Sequence, residues 1–110
     1  MAQEQSQAQQ LHAQRPNLDT IVRFVAGHCR MSVADMLSNS RKREVSKAKL
    51  IATVLSTRNG GSVAAAARLF GRSRSTLIES AEHYRHAQPE MFADAESALN
   101  AYLGEQGLLP

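Results

Sequence analysis

The sequence predicts an all-α protein: a compact helical domain with a basic loop and a helix-turn-helix, plus a C-terminal helix. Apolar residues recur at helical spacing in successive segments, and serine or asparagine residues able to cap a helix precede most of these segments. No stretch alternates apolar and polar residues as a half-buried strand does. A chain of 110 residues is long enough for one hydrophobic core with tails.

Three regions follow from the composition along the chain. Residues 1–15 are predicted to be a flexible Gln-rich tail, because six glutamines and little apolar content cannot offset the entropy of ordering. Residues 16–88 form the predicted helix-turn-helix domain. Residues 89–110 form the predicted acidic, amphipathic C-terminal helix and its tail.

The first helix is predicted over residues 18–29, with Asn17 as its cap and Cys29 as a small buried hydrophobe. Ser32 to Asp35 form a capping-box pattern that predicts a short second helix leading into Met36 and Leu37. The stretch 38–43 has no apolar residue to bury, so it is predicted to be an exposed basic loop.

A third helix is predicted over residues 45–57, ended by Asn59, Gly60 and Gly61. Ser62 is expected to cap an alanine-rich helix from Val63 to Phe70, which stops at Gly71. The next helix begins only a few residues after Gly71, and two helices joined by so short a turn make a helix-turn-helix.

That next helix is predicted from Arg74 to Ala87, with Ser73 as its cap and Pro89 ending it. Its inward side chains are expected to be Leu77, Ala81 and Tyr84. A last helix from Met91 to Leu103 is expected to place Met91, Ala95, Leu99 and Tyr102 along one apolar stripe.

The net charge of +3 conceals a strongly basic middle segment. Residues 41–85 carry ten Lys and Arg residues against three Glu residues, a net charge of +7. Residues 86–110 carry no Lys or Arg and four acidic residues, a net charge of −4. A dense positive surface of this kind displaces counterions from nucleic-acid phosphates.

Several classes of protein are disfavoured. Cys29 is the single cysteine, so no intramolecular disulfide and no cysteine-based zinc site can form, which favours a reducing cytoplasm. No segment has the signature of a membrane span or a signal peptide, and no phosphate-binding Gly-x-x-x-x-Gly-Lys-Ser/Thr loop appears. His83 and His86 lack a nearby third metal ligand. We therefore expect no catalytic activity, cofactor, metal or membrane partner.

The predicted second helix of the helix-turn-helix opens with arginines and hydroxyls where such helices meet DNA. Arginine can bind guanine through two hydrogen bonds, and hydroxyls can contact bases or phosphates. The basic loop and the flank of the third helix add further cations. The candidate DNA-binding residues are Arg41, Lys42, Arg43, Lys47, Lys49, Arg72, Ser73, Arg74, Ser75 and Thr76.

Two stretches of the sequence carry a resemblance to a known family. Residues 33–43, followed by Val45 and the third helix, resemble the C-terminal DNA-binding domain of the bacterial replication initiator DnaA, which has a Trp-repressor-like helix-turn-helix. Residues 62–76 look like its helix-turn-helix, in which Gly-Arg-Asp-His-Thr-Thr opens the recognition helix. The similarity covers roughly residues 18–87. Similar domains also end transposases associated with repeated extragenic palindromes.

The resemblance implies a role for each matching position. Arg41 matches an arginine that enters the minor groove, Lys49 a basic residue that faces DNA, and Arg72 the signature arginine at the DNA backbone. Residues 73–76 match the base-reading Asp-His-Thr-Thr, but only Thr76 is unchanged. We therefore expect the same fold to read a different DNA sequence.

The expected function is sequence-specific binding of double-stranded DNA by a cytoplasmic, nucleoid-associated regulator of transcription or replication without an ATPase. Two alternatives remain open: a protein-interaction module that uses the C-terminal helix, and a DNA-targeting piece related to a transposase. A homodimer formed through the C-terminal helix is also expected, because two-fold dimers are common among helix-turn-helix proteins.

Overall fold

The computed structural model describes residues 16–105 and contains only α-helices within that range, which confirms the predicted all-α fold. The predicted flexible tail, residues 1–15, lies outside the described residues. Within the described range the helices are α1 Leu18–His28, α2 Val33–Leu37, α3 Arg43–Arg58, α4 Val63–Phe70, α5 Arg74–Ala87 and α6 Pro89–Glu105.

The core is built around α3. All nine residues from Ala48 to Ser56 are buried, so this helix is covered on every side. It packs against each of the other five helices. The largest buried side chains come from several elements and include Ile21, Met36, Leu55, Phe70, Phe92 and Leu99. The helices that carry the predicted DNA-binding residues are therefore attached to a single core.

The helix starts confirm the predicted caps. Asn17 Oδ1 accepts a hydrogen bond from the Thr20 amide at 2.9 Å. The hydroxyl oxygens of Ser32, Ser62 and Ser73 each accept from the amide three residues later, at 3.0, 3.0 and 3.1 Å. Each bond satisfies one amide that the first helical turn leaves without a partner, so the sequence fixes where these helices begin.

The helix-turn-helix consists of α4, α5 and the turn between them. Gly71 ends α4 in the left-handed region at a φ of 63°, and the Arg72 amide bonds back to the Ala67 carbonyl at 3.1 Å. Both helices have the bounds that the sequence predicts. Leu77 and Ala81 bury the inner face of α5, and Tyr84 packs half-buried against the core.

Five helix bounds differ from the predicted ones by one or two residues, and the starts of α3 and α6 are the two that change the basic loop and the last helix. Arg43 is the first residue of α3, so the basic loop comprises residues 38–42 rather than 38–43. Pro89 follows α5 and is also the first residue of α6. Proline is favoured at this position because the first amides of a helix have no partner within the helix, so its missing amide hydrogen costs no hydrogen bond. The last helix is therefore longer than the predicted segment from Met91 to Leu103.

The apolar stripe of α6 also differs from the prediction. Ala95 and Leu99 are buried as expected, but Phe92 and Leu103 complete the buried face. Met91 is half-buried, and Tyr102 stays 37% exposed with its ring 5.4 Å from that of Phe24. The buried face is therefore rotated slightly from the predicted stripe, toward Phe92 and Leu103 and away from Met91 and Tyr102.

The C-terminal helix shares the core of the helix-turn-helix. Its buried face packs on α1, α3 and α5, and Arg58 at the end of α3 forms an ion pair with Glu96. In the described part of 89–110, the apolar side is thus occupied by contacts within the chain. No helix among residues 16–105 is both long and apolar enough to span a membrane.

Candidate nucleic-acid interface

Three elements meet at one edge of the molecule: the basic loop, the first turns of α3, and the start of α5. They enclose a groove of about 240 Å³. Six of its eight lining residues are polar or basic and two are leucines: Arg41, Ser46, Lys49, Leu50, Arg72, Thr76, Leu77 and Ser80. The fold thus brings together residues that are up to 39 positions apart in the sequence.

The start of α5 is the exposed wall of this groove. Ser73, Arg74, Ser75 and Thr76 are all exposed, as recognition of DNA by the first turn of the helix requires. The Ser73 hydroxyl donates to Thr76 Oγ1 at 2.7 Å while accepting from the Thr76 amide. Among the described residues, Arg74 forms no ion pair, so its guanidinium is available to a ligand.

The opposite wall is the basic loop. Arg41 and Lys42 are exposed, and Arg43 is exposed at the first position of α3. Short-range bonds shape the loop: the Ser40 amide donates to Ser38 Oγ at 3.3 Å, and the Lys42 amide donates to Ser40 Oγ at 3.2 Å. The three cations therefore stand at the surface on an ordered backbone.

Arg72 joins the two walls. It is half-buried in the turn before α5, and its Nη2 donates to the Ser40 carbonyl of the basic loop at 3.3 Å. A guanidinium has five donor hydrogens, so this contact leaves others for a phosphate. The predicted role of Arg72 at the DNA backbone is compatible with this position.

Lys49 lines the groove, but it is far more buried than a lysine on an exposed helix flank. Its side chain is only 1% exposed, and its Nζ donates to the Ser38 carbonyl at 2.6 Å. Burial lowers the pKa of this ammonium, and the nearby positive charges of Arg72 and Arg41 lower that pKa further. The expectation that Lys49 faces DNA stays a prediction: the side chain lines the groove, but its ammonium is bonded to a carbonyl of the basic loop.

Lys47 lies outside the groove and is half-buried. Its Nζ donates to Gln88 Oε1 at 3.2 Å and sits 5.7 Å above the ring of Tyr84. The side chain therefore ties α3 to the far end of α5. Both lysines on the predicted polar flank of α3 are engaged within the protein.

Two groove residues, Ser46 and Ser80, are absent from the sequence-predicted set. Helical periodicity could have found them, because Ser80 lies one turn after Thr76 and Ser46 lies one turn before Lys49. Their hydroxyls add hydrogen-bonding groups beside Arg41 and Arg72.

Within residues 16–105, no three His, Cys, Asp or Glu side chains come together as a group that could hold a metal ion. His86 Nε2 instead lies 4.0 Å from Glu82 on the same helix.

Comparison with known proteins agrees with this architecture. Residues 18–83 match the family model described as the bacterial dnaA protein helix-turn-helix, which covers α1 to α4 and most of α5. Neither the curated proteins nor the solved structures include a significant match to the chain.

Proposed function

The chain belongs to the family of bacterial DnaA helix-turn-helix domains, which bind double-stranded DNA and are not catalytic, and from this premise we propose that it occupies a specific duplex site. It would act there as a nucleoid-associated regulator of transcription or replication. The 110 residues contain no nucleotide-binding loop, so the proposed activity is binding alone, without an ATPase in these residues.

One observation carries the proposal: the exposed start of α5 and the exposed Arg41 flank the same groove. In a duplex complex, the start of α5 would enter the major groove, where Arg74, Ser75 and Thr76 would meet base edges. Arg41 would reach the adjacent minor groove, whose narrow A·T-rich stretches concentrate negative potential. The two walls would then read neighbouring parts of one site.

The remaining cations would position the duplex. Lys42 and Arg43 are exposed beside Arg41, and Arg72 retains donors beside the helix start, so these three would contact phosphates. The amino end of α5 favours negative charge as well, because the helix dipole leaves its first amides partly positive. Contacts of this kind supply affinity without selecting a sequence.

A role for α6 in dimerisation or in binding a protein partner is not part of the proposal. Phe92, Leu99 and Leu103 already bury their side chains in the chain's own core. An apolar face used in this way is not available to a second copy or to another protein.

Selection of bound sequences from a random duplex pool tests the proposal. The unaltered chain should enrich one motif, and Arg74→Ala should weaken binding to it by about 1–3 kcal/mol and relax the preference at one base pair. Lys42→Ala is the matched control, because loss of a phosphate contact should weaken binding to all sequences alike.

Two results would count against the proposal. A pool that shows no enrichment after repeated rounds would remove specific recognition. A motif unchanged in Arg74→Ala, with lower affinity throughout, would make Arg74 a phosphate contact and leave base reading to Ser75 and Thr76.

A further inference from the structure

The most unusual polar group in the described part of the protein is the ammonium of Lys49. It is 1% exposed, and no carboxylate in residues 16–105 forms an ion pair with it. Its one hydrogen-bond acceptor in that range is the backbone carbonyl of Ser38, at 2.6 Å. Burying a charge without a counter-ion opposes folding, so fold stability alone does not account for a lysine here.

The position of the Ser38 carbonyl in the chain indicates the role of Lys49. Ser38 begins the basic loop, and three residues later comes Arg41, the loop's exposed arginine. Two residues after Ser38, the Ser40 carbonyl accepts from Arg72 at 3.3 Å. Lys49 of α3 and Arg72 of the turn before α5 therefore both bond the backbone immediately before Arg41.

Direct contact of Lys49 with DNA would require this arrangement to open. The side chain is 1% exposed and its ammonium is bonded to the Ser38 carbonyl, so a phosphate could bind the ammonium only by replacing that bond. Loss of the bond would release the backbone just before Arg41, which lines the same groove. A direct contact between Lys49 and DNA would thus weaken the hold on the loop that carries Arg41.

We propose that Lys49 is a positioning residue, which fixes the basic loop so that Arg41 meets DNA in register with α5, and that Lys49 itself does not touch DNA. The proposal rests on the proposed DNA-binding function for its effect on affinity. The hold on the loop is a property of the free protein and can be measured without DNA. Pre-ordering of the loop lowers the entropy lost on binding, which strengthens the complex.

Lys49→Met distinguishes a positioning role from a direct contact with DNA, because methionine fills similar space without donating a hydrogen bond. In the free protein, we expect nuclear magnetic resonance order parameters of the amides of residues 39–42 to fall while those of α3 and α5 stay unchanged. Lys42→Met is the matched control: it removes an equal charge from the same loop and should leave these order parameters as they are. Unchanged loop order in Lys49→Met would overturn the proposal.

A double-mutant cycle with Arg41→Ala supplies the DNA-bound measurement. On a duplex with A·T-rich flanks, Lys49→Met should weaken binding about tenfold, the effect of losing one charge-assisted hydrogen bond. In the Arg41→Ala background, the same change should weaken binding much less and should leave the salt dependence unchanged, because Lys49 acts mainly through Arg41.

A direct phosphate contact gives a different result. Lys49→Met would then reduce the magnitude of the salt slope by about 0.9 even in the Arg41→Ala background, and the two losses in affinity would add. That outcome would overturn the positioning role. Failure of the unaltered chain to bind any duplex would overturn the proposed function instead, and the loop order parameters would still decide whether Lys49 holds the loop.

Discussion

The two walls of the candidate DNA site are ordered in different ways. At the start of α5, the bonds that set the geometry join near neighbours: Ser73 with Thr76, and Arg72 with Ala67. The helix is then held through Leu77, which is buried in the core. The basic loop buries no apolar side chain, and polar contacts hold it, two of them from residues 11 and 32 positions away in the sequence.

The two kinds of attachment predict different effects of substitutions on the free energy of unfolding and on DNA affinity. Because the start of α5 is continuous with the core, weakening its attachment should lower the free energy of unfolding and DNA affinity together. Because polar contacts with far less buried area hold the basic loop, weakening them should lower DNA affinity with little change in stability. Substitutions in the two walls should therefore fall into two classes.

Leu77→Ala should have the largest effect on stability. Removing a side chain that is 3% exposed leaves a cavity, so the free energy of unfolding should fall by about 2–5 kcal/mol. Its neighbour Ile78, 48% exposed, provides the control, and Ile78→Ala should change stability by about 0.5 kcal/mol or less. Denaturant unfolding measures both, and equal losses would show that α5 is not anchored through Leu77.

Gly71→Ala should have the next largest effect. At a φ of 63° an added Cβ meets no atom within 4 Å, so the destabilisation of about 1–2 kcal/mol comes from the backbone conformation alone. Gly27→Ala is a control of opposite sign: Gly27 lies within α1 with equally open space, and alanine there should stabilise the protein by about 1 kcal/mol. Thermal unfolding measures the melting temperatures of both variants. Melting temperatures that shift in the same direction would contradict the prediction.

A matched pair of serine substitutions compares the walls directly. Ser73→Ala removes the cap of α5 and should reduce the free energy of unfolding by about 1 kcal/mol. Ser38 Oγ donates to the Asp35 carbonyl at the end of the short helix α2 at 2.6 Å and accepts from the Ser40 amide of the loop. Because these exposed and partly buried contacts involve no core side chain, Ser38→Ala should reduce the free energy of unfolding by about 0.5 kcal/mol or less. A larger stability loss for Ser38→Ala would show that the loop is coupled to the core.

The same contrast explains what the sequence could predict. The bounds of α4 and α5 were predictable because Ser62, Gly71 and Ser73 act on residues within three or four positions. The predicted site residues at the start of α5 are therefore exposed as expected. The all-α fold was also predictable from these local patterns, and the family was predictable from the resemblance of residues 33–43 and 62–76 to its DNA-binding domain.

The environment of Lys49 was not predictable in this way. Lys47 and Lys49 appear equivalent in the sequence, as two lysines on the polar flank of a helix. One bonds a glutamine at the end of α5, and the other bonds a backbone carbonyl, an acceptor that every residue carries. Which carbonyl approaches a lysine depends on how α2 and the loop fold over α3, and no local pattern encodes that.

Measurement of duplex binding against salt concentration tests the central claim most directly. Residues 41–85 carry a net charge of +7, and six of their ten cations line the groove or lie in the basic loop, at the first position of α3 or at the start of α5, namely Arg41, Lys42, Arg43, Lys49, Arg72 and Arg74. If about five phosphates are neutralised, the logarithm of the association constant should fall with the logarithm of salt concentration at a slope of about −4 to −5. A slope near zero, or the absence of duplex binding at low salt, would contradict the assignment of this groove to DNA.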